Sequence, residues 1–382
     1  APLVSSVVVS AAYLAFLPLG NGYQNNLHGL PVSAELVLSL GTTAGVVALV
    51  ATVAVPAWRL RLRLRPVLRF PHGVAPRVRG LAAVGVATLA AQDAALVVVI
   101  VLANSRGGTG ALVLYNYGWQ MFFLPYAILA VPVATSAFPL LAAHADATGP
   151  AAAVAGADAD TGAAAGRFDA VAATSTRVAV LVSFLGAAVL AGTAVPAARV
   201  FVHPAAAREL TFTFVAFAPG LIGYGLVANL SRVLLAGGRN RAAAVTTVAG
   251  WLAVAVVDLA IVPLVPQRWV VPALGLGNTA GLTVAGAALL AAVVRARGRA
   301  CLGGLPRAGA AGLAGGVAGG AAGGLVALAA SHAFGLTGAL PAAALTVAAG
   351  AVTLAVFLAI AYLADSGDMR TAATRVLRRR TA

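Results

Sequence analysis

Residues 114–142 read LYNYGWQMFFLPYAILAVPVATSAFPLLA, a run long and apolar enough to cross a bilayer as a helix. The run nevertheless begins with polar side chains, among them Asn116 and Gln120. It also carries prolines at intervals of seven residues, at Pro125, Pro132 and Pro139. Each proline removes a backbone donor, and in hydrocarbon such breaks are tolerated where neighbouring helices or a cavity satisfy the freed carbonyl groups. The pattern predicts a moving helix that lines a cavity; the alternative is a kinked helix in a static bundle.

The composition of the whole chain is that of an integral membrane protein. Hydrophobic residues make up 61% of the 382 residues and charged residues only 9%, whereas soluble domains carry about 25% charged residues. The single cysteine, Cys301, excludes an internal disulfide. A net charge of +15 raises the question of nucleic-acid binding, but the arginines sit at the ends of apolar segments, so no nucleic-acid partner is expected. These features predict an all-α polytopic membrane protein.

Ten segments are long and apolar enough, or nearly so, to span a membrane. They are 4–20, 34–57, 80–103, 112–142, 171–195, 209–236, 242–264, 270–294, 308–331 and 337–364. The stretch 143–170, rich in Ala, Gly and Asp, is predicted to be a flexible loop. Segment 308–331 is so rich in Gly and Ala that a neighbouring helix or a lipid chain could approach its backbone closely.

The arginines predict the orientation of these segments. If residues 58–79 are cytoplasmic and the segments alternate, 21 of the 25 arginines face the cytoplasm. The other four are Arg106, Arg199, Arg208 and Arg268. This positive-inside asymmetry predicts a multi-pass protein of the cytoplasmic (inner) membrane with both termini in the cytoplasm. The Arg-rich stretches 59–69 and 370–380 either bind anionic membrane lipids or only anchor the topology.

Two acidic residues, Asp93 and Asp258, lie well inside predicted helices, where a charge is costly and usually functional. Counted along their helices at 1.5 Å per residue, they lie at depths of roughly 20 and 24 Å, close to the level of Asn278 and Thr279. Together these side chains could bind a coupling cation or a proton. The alternative is that each acid pairs separately within the bundle and only stabilises packing. The identity of a metal ion is left open.

Catalytic chemistry finds no support in the sequence. The five histidines are scattered and lack metal-ligand spacing, at His28, His72, His144, His203 and His332. No glycine-rich phosphate loop follows a strand, because no strand is predicted. The chain is therefore not expected to be an enzyme.

The opening segment, extended to YNYGWQMFFLPYAILAVPVATSAFPLLAAH (115–144), resembles the eighth helix of the MurJ/MviN lipid II flippase family of the MOP exporter superfamily. Pro125 and Pro139 reproduce that helix's proline spacing. Three further stretches resemble the family's motifs in the family's order: VATLAAQDAALVVVIVLAN (86–104), SRVLLAGGRNRAA (231–243) and LGLGNTAGLTVAGAALLAAV (274–293).

The resemblance implies a fourteen-helix scheme of two six-helix lobes and a final pair, of which this chain supplies helices five to fourteen and lacks the first four. Residues 1–57 would be the last two helices of the N-terminal lobe, and 58–79 a cytoplasmic linker. Residues 80–294 would form the C-terminal lobe, and 308–364 the final pair with a lipid-tail groove. Residues 365–382 would be a basic cytoplasmic tail.

The resemblance also implies a function: translocation of lipid II, the undecaprenyl-pyrophosphate-linked peptidoglycan precursor, by alternating access. Asn116, Tyr117 and Gln120 would line the substrate cavity, and Pro125 and Pro139 would shape or hinge their helix. Gln120 stands where the family often has a phosphate-binding arginine. No cofactor is expected, and transport would be coupled to a monovalent cation, a proton or the membrane potential.

Two alternatives stay open. One is an exporter of another polyprenyl-linked saccharide. The other is a non-transporting scaffold that binds cell-wall synthesis proteins.

Overall fold

The computed structural model describes residues 2–20, 30–59, 74–146, 158–333 and 338–364, and every regular element in these ranges is helical. The chain divides into two compact units, Ala1–Ala75 and Pro76–Ala382. Residues 60–73, which include the Arg-rich stretch 59–69 beyond Arg59, and the basic tail 365–382 lie outside the described residues. The all-helical prediction is confirmed.

The first unit contains α1 (Pro2–Leu19) and α2 (Val32–Arg59), packed as an antiparallel hairpin. Small residues bring the two backbones together. A Cβ atom added at Gly41 would lie 2.1 Å from the Ala12 Cβ, and one at Gly45 would lie 2.4 Å from Val9. Most large apolar side chains on both helices are exposed, as expected of helices whose surroundings are hydrocarbon.

The second unit contains eleven α-helices in the described ranges. They are α3 (Val74–Arg106), α4 (Ala111–Pro125), α5 (Val131–Asp146), α6 (Asp158–Gly192), α7 (Ala194–Phe201), α8 (Pro204–Phe217), α9 (Gly220–Ala236), α10 (Asn240–Ile261), α11 (Val270–Arg297), α12 (Leu305–Ala333) and α13 (Ala339–Ala364). Their packed interior contains two large apolar clusters, one around Phe122, Phe214 and Phe217 and one around Phe168, Leu230 and Leu289, and a smaller third cluster around Phe357.

Eight helical stretches of the described chain are long and apolar enough to cross a membrane. A ninth is supplied by α8 and α9, which bend by 41° at Ala218 and Pro219. α1 is apolar but shorter. The bend follows from Pro219, which has no N–H to continue the helix. The Thr279 hydroxyl, from α11, donates to the carbonyls of Ala216 (2.6 Å) and Phe217 (3.3 Å) at this break.

The predicted loop at 143–170 is wrong over most of its length. α5 continues to Asp146 and α6 begins at Asp158, with 147–157 outside the described residues. Alanine is the strongest helix former, so an Ala-rich stretch becomes helical once one face is packed. Phe168 provides that packing: it is fully buried, and the Arg297 guanidinium lies 3.9 Å from the centre of its ring.

The proline-rich segment forms one continuous span through α4, a π-helical turn at Tyr126–Ala130 and α5. The π-turn follows Pro125 directly, and the Val131 N–H donates to the Tyr126 carbonyl, five residues back. Such turns absorb a mismatch in the hydrogen-bond ladder without ending the helix, and they are common at functional sites. The local distortion predicted from the prolines is therefore present.

Small residues form a close seam along α11. Added Cβ atoms at Gly281 and Gly250 would lie 2.3 Å from Val254 and 2.4 Å from Ala285, so α10 and α11 pack backbone to backbone. On its other side α11 meets α9, where a Cβ at Gly223 would lie 2.4 Å from the Leu282 carbonyl oxygen. The seam fixes α9, α10 and α11 relative to one another.

We expect Gly223→Val to destabilise the protein by about 1–3 kcal/mol, because the obstructing atoms are backbone and the helices must separate. The measurement is thermal unfolding in detergent. Gly324→Val is the matched control, since a Cβ there meets nothing within 4 Å. Equal melting temperatures for the two variants would contradict the seam.

Candidate functional site

A cavity of two adjoining chambers, called here the central cavity, lies inside the second unit. The first chamber, about 170 Å³, is lined by Gln92, Ala95, Leu96, Val99, Tyr115, Asn116, Trp119, Trp251 and Val254. The second, about 210 Å³, is lined by Thr88, Gln92, Tyr126, Tyr224, Val227, Ala228, Ser231, Arg232, Thr247, Gly250, Trp251, Leu282 and Ala285. Gln92 and Trp251 line both chambers, so the two are neighbours along the bundle.

The cavity forms because α3 presents small side chains to the bundle over its middle turns. Ala91, Ala95 and Val99 recur every fourth residue and are all buried. Val99, Leu102 and Ala103 join the apolar core towards the carboxyl-terminal end of the helix. Alanine at two successive turns leaves α3 without bulk opposite α4 and α10, and the space between the helices stays open.

Aromatic side chains make the walls stiff. Trp119 stacks on Phe122 at 5.4 Å between ring centres and lies 6.3 Å from Trp251. In the second chamber Tyr126, on the π-turn, lies 4.2 Å from Tyr224 of α9. Packed aromatic rings have few conformations to lose, and tyrosine and tryptophan add polar groups to an otherwise apolar wall.

Arg232 places a positive charge in the second chamber. The side chain is half-buried, and its guanidinium Nη1 donates to the Ala228 carbonyl of the preceding turn. Several guanidinium N–H groups therefore remain available for an anion. The positive-inside pattern counted Arg232 only as one of the cytoplasmic arginines that set the membrane orientation. The missed signal is that Arg232 lies inside the apolar segment 209–236 and before the last turn of α9, where an arginine is costly unless it serves a function.

Of the predicted cavity residues, Asn116 lines the first chamber. Gln120 lies one turn further on the same exposed face of α4 and does not line either chamber. The Tyr117 ring packs 5.3 Å from Phe201. Pro125 faces the buried Gly186 of α6, and Pro139 is exposed on α5.

Of the predicted cation ligands, Asp258 lies at the seam between α10 and α11, against Gly277, and Asn278 follows Gly277 on α11. Both side chains are fully buried. Both Asp258 carboxylate oxygens, and both polar atoms of the Asn278 amide, lack a hydrogen-bond partner among the described residues. Asp258 fits there because Gly277 has no side chain: a Cβ would lie 1.8 Å from Asp258 Oδ1.

The other two predicted ligands are placed differently. Thr279 uses its hydroxyl proton on the carbonyls at the α8–α9 break. Asp93 is exposed on α3 and does not line the central cavity, although its neighbour Gln92 does. No group of three or more His, Cys, Asp or Glu side chains suited to a metal ion occurs within the described part of the chain.

The sequence model of the lipid II flippase MurJ family matches residues 1–318, a range that includes the whole central cavity and Asp258. The chain is a member of the lipid II flippase MurJ family. A solved structure of lipid II flippase MurJ in an inward closed conformation superposes with a TM-score of 0.62 at 12% identity, covering 96% of this chain and 67% of that chain. The resemblance inferred from the motifs is thus confirmed.

Membership of the MurJ family makes this a multi-span membrane protein of a transporter family. α13 lies beyond the sequence match, whereas the structural superposition extends over nearly the whole chain.

Proposed function

We propose that this chain moves lipid II across the cytoplasmic membrane by alternating access, with both termini in the cytoplasm. The observation that carries the proposal is Arg232, a half-buried cation inside an aromatic-lined cavity of a MurJ-family bundle. A charge in that position is costly in a membrane and is compensated when an anion binds.

Arg232 supplies the positive charge that Gln120 lacks. A guanidinium binds a pyrophosphate with two parallel hydrogen bonds, which fixes the orientation of the headgroup as well as adding affinity. The amides of Gln92 and Asn116, which line the first chamber, can donate to sugar or phosphate oxygens. The pyrophosphate would therefore lie near Arg232 in the second chamber, with Gln92, which lines both chambers, next to the attached sugar.

We further propose that Asp258 and Asn278 hold a coupling cation, with Thr279 beside them. A buried carboxylate without a hydrogen-bond donor is strongly unfavourable, and binding a cation or a proton removes that cost. Val254, one turn before Asp258, lines the first chamber. Cation binding at the α10–α11 seam would thus act on the wall of the cavity. The carboxylate of Asp93, exposed on α3, lies outside this site.

The pyrophosphate contact would serve any polyprenyl-linked saccharide, so the test must vary the lipid. The full-length protein is reconstituted in vesicles with fluorescent lipid II or with a polyprenyl pyrophosphate that carries a different saccharide. We expect movement of lipid II between leaflets, measured by chemical quenching of the outer leaflet, and rescue of cells depleted of their flippase. Faster movement of the other lipid would identify the exporter alternative. A folded protein that moves neither lipid and does not rescue growth would support the alternative of a non-transporting scaffold.

A further inference from the structure

A second and larger cavity, called here the outer cavity, lies at the end of the bundle that the arginine pattern predicts to face outward. Its volume is about 960 Å³. It is bounded by α7, by the beginning of α8 and by the ends of α12 and α13 that face each other. The lining residues are Val195, Arg199, Val202, His203, Pro204, Ala207, Arg208, Thr211, Phe212, Ser331, Gly338 and Ala339.

The polar part of this cavity is positively charged. Arg199 and Arg208 both line it, and they are two of the four arginines on the predicted outer side. No carboxylate is among the lining residues that the structure describes, and Glu209, next to Arg208 in the chain, is not one of them. The amino-terminal end of α8, a helix of 14 residues that begins at Pro204, adds the positive end of its dipole.

Arg208 is held in place by an aromatic pair. Its guanidinium lies 5.8 Å from the centre of the Phe212 ring, which in turn lies 4.8 Å from the Trp269 ring. This packing limits the conformations of a side chain that is otherwise exposed. An arginine restrained in this way loses less entropy when it binds an anion.

The cavity wall also has an apolar portion, with Val195 from α7, Val202 directly after α7 and Ala339 from the beginning of α13. Beside it α13 exposes Leu340, whose side chain is 85% accessible. The volume is at the upper end of the range for small-molecule sites, about 300–1,000 Å³. A charged portion next to an apolar helix surface is the arrangement that an amphiphile with an anionic headgroup requires.

We propose that the outer cavity binds the phosphate group of a lipid headgroup in the outer leaflet, with Arg199 and Arg208 as the phosphate ligands. Two lipids carry this chemistry: an anionic phospholipid of the membrane and a polyprenyl pyrophosphate that has reached the outer leaflet. The site is separate from the central cavity, and the proposal does not depend on transport by it.

The test measures dissociation constants of the full chain in nanodiscs of zwitterionic lipid. The probes are short-chain phosphatidylglycerol, a short-chain prenyl pyrophosphate, short-chain phosphatidylcholine and inorganic pyrophosphate. The double variant R199Q/R208Q is compared with R268Q, which removes an exposed arginine of the same predicted side that does not line the cavity. Thermal unfolding of each variant checks that the fold is kept.

We expect the double variant to bind the preferred anionic lipid at least about tenfold more weakly, because it loses charge-assisted hydrogen bonds to the phosphate. R268Q is expected to bind this lipid with the affinity of the wild type. Tighter binding of phosphatidylglycerol would identify a resident membrane lipid, and tighter binding of the prenyl pyrophosphate the translocated lipid; both support the site. Unchanged affinity in the double variant, an equal loss in R268Q, or inorganic pyrophosphate binding as tightly as either lipid would overturn it. Because binding is measured without transport, a failure here is distinct from a failure of lipid II translocation.

Discussion

Replacing Arg232 with glutamine is expected to lower lipid II translocation by about 10–100-fold, because hydrogen bonds to a charged group contribute about 1.5–3 kcal/mol. Arg232 is the cation of the second chamber, and glutamine keeps much of its length without the charge or the guanidinium geometry. Arg232→Lys keeps the positive charge but not the guanidinium geometry. Its translocation rate is expected to lie between those of the wild type and Arg232→Gln. The measurement is the initial rate of leaflet exchange in proteoliposomes.

The matched control is Arg241→Gln. Arg241 is exposed near the beginning of α10, on the cytoplasmic side by the topology prediction, and does not line the central cavity. Arg241→Gln removes the same formal charge from the chain as Arg232→Gln does. It therefore controls for effects of the lost charge on membrane topology and on general attraction to anionic lipid. Equal rates for Arg232→Gln and Arg241→Gln would show that the pyrophosphate binds elsewhere.

Asp258→Asn is expected to abolish stabilisation of the protein by a monovalent cation. A ligand present at a hundred times its dissociation constant stabilises the folded state by about 2.7 kcal/mol. Asparagine has the size of aspartate, so the α10–α11 seam is kept while the charge is lost. The measurement is the melting temperature in sodium, potassium or lithium chloride relative to choline chloride, together with the cation dependence of translocation.

Asp93→Asn is the informative comparison for this prediction. Because the Asp93 carboxylate is exposed and lies outside the central cavity, its variant is expected to keep the cation effect. An equal loss in both variants would support the four-residue site predicted from the sequence, formed after a rotation of α3. A wild-type protein stabilised by none of the three cations would contradict a metal-cation site at Asp258.

The sequence predicted the helical segments well because length and hydropathy are local properties of the chain. The span at 112–142 and the disturbance caused by its prolines both appear, the latter as the π-turn after Pro125. The Ala-rich stretch before Phe168 was misjudged because its composition is compatible with a loop or a helix. The burial of Phe168, whose ring lies against Arg297, packs this helix onto the bundle.

The site was predicted less completely. Asn116 lines the cavity, and Asp258 packs against Gly277, the residue before Asn278, because depth along a helix can be counted from the sequence. The direction in which a side chain points around the helix axis cannot be related to the bundle interior by counting residues in this way. Asp93 lies at a suitable depth, but its side chain is exposed on the outside of α3. Gln92, one residue earlier, lines the cavity.

By itself the sequence determined the membrane class, the segments, the predicted orientation and the family, since each depends on composition, spacing or motif order. The tertiary structure alone decided which polar side chains share a cavity, placing Arg232 there and leaving Gln120 outside. The physical reason is that a membrane helix is apolar both where it meets lipid and where it meets another helix. Hydrophobic periodicity, which distinguishes the inside of a soluble protein from its surface, therefore cannot identify the inner face of α4 or α9.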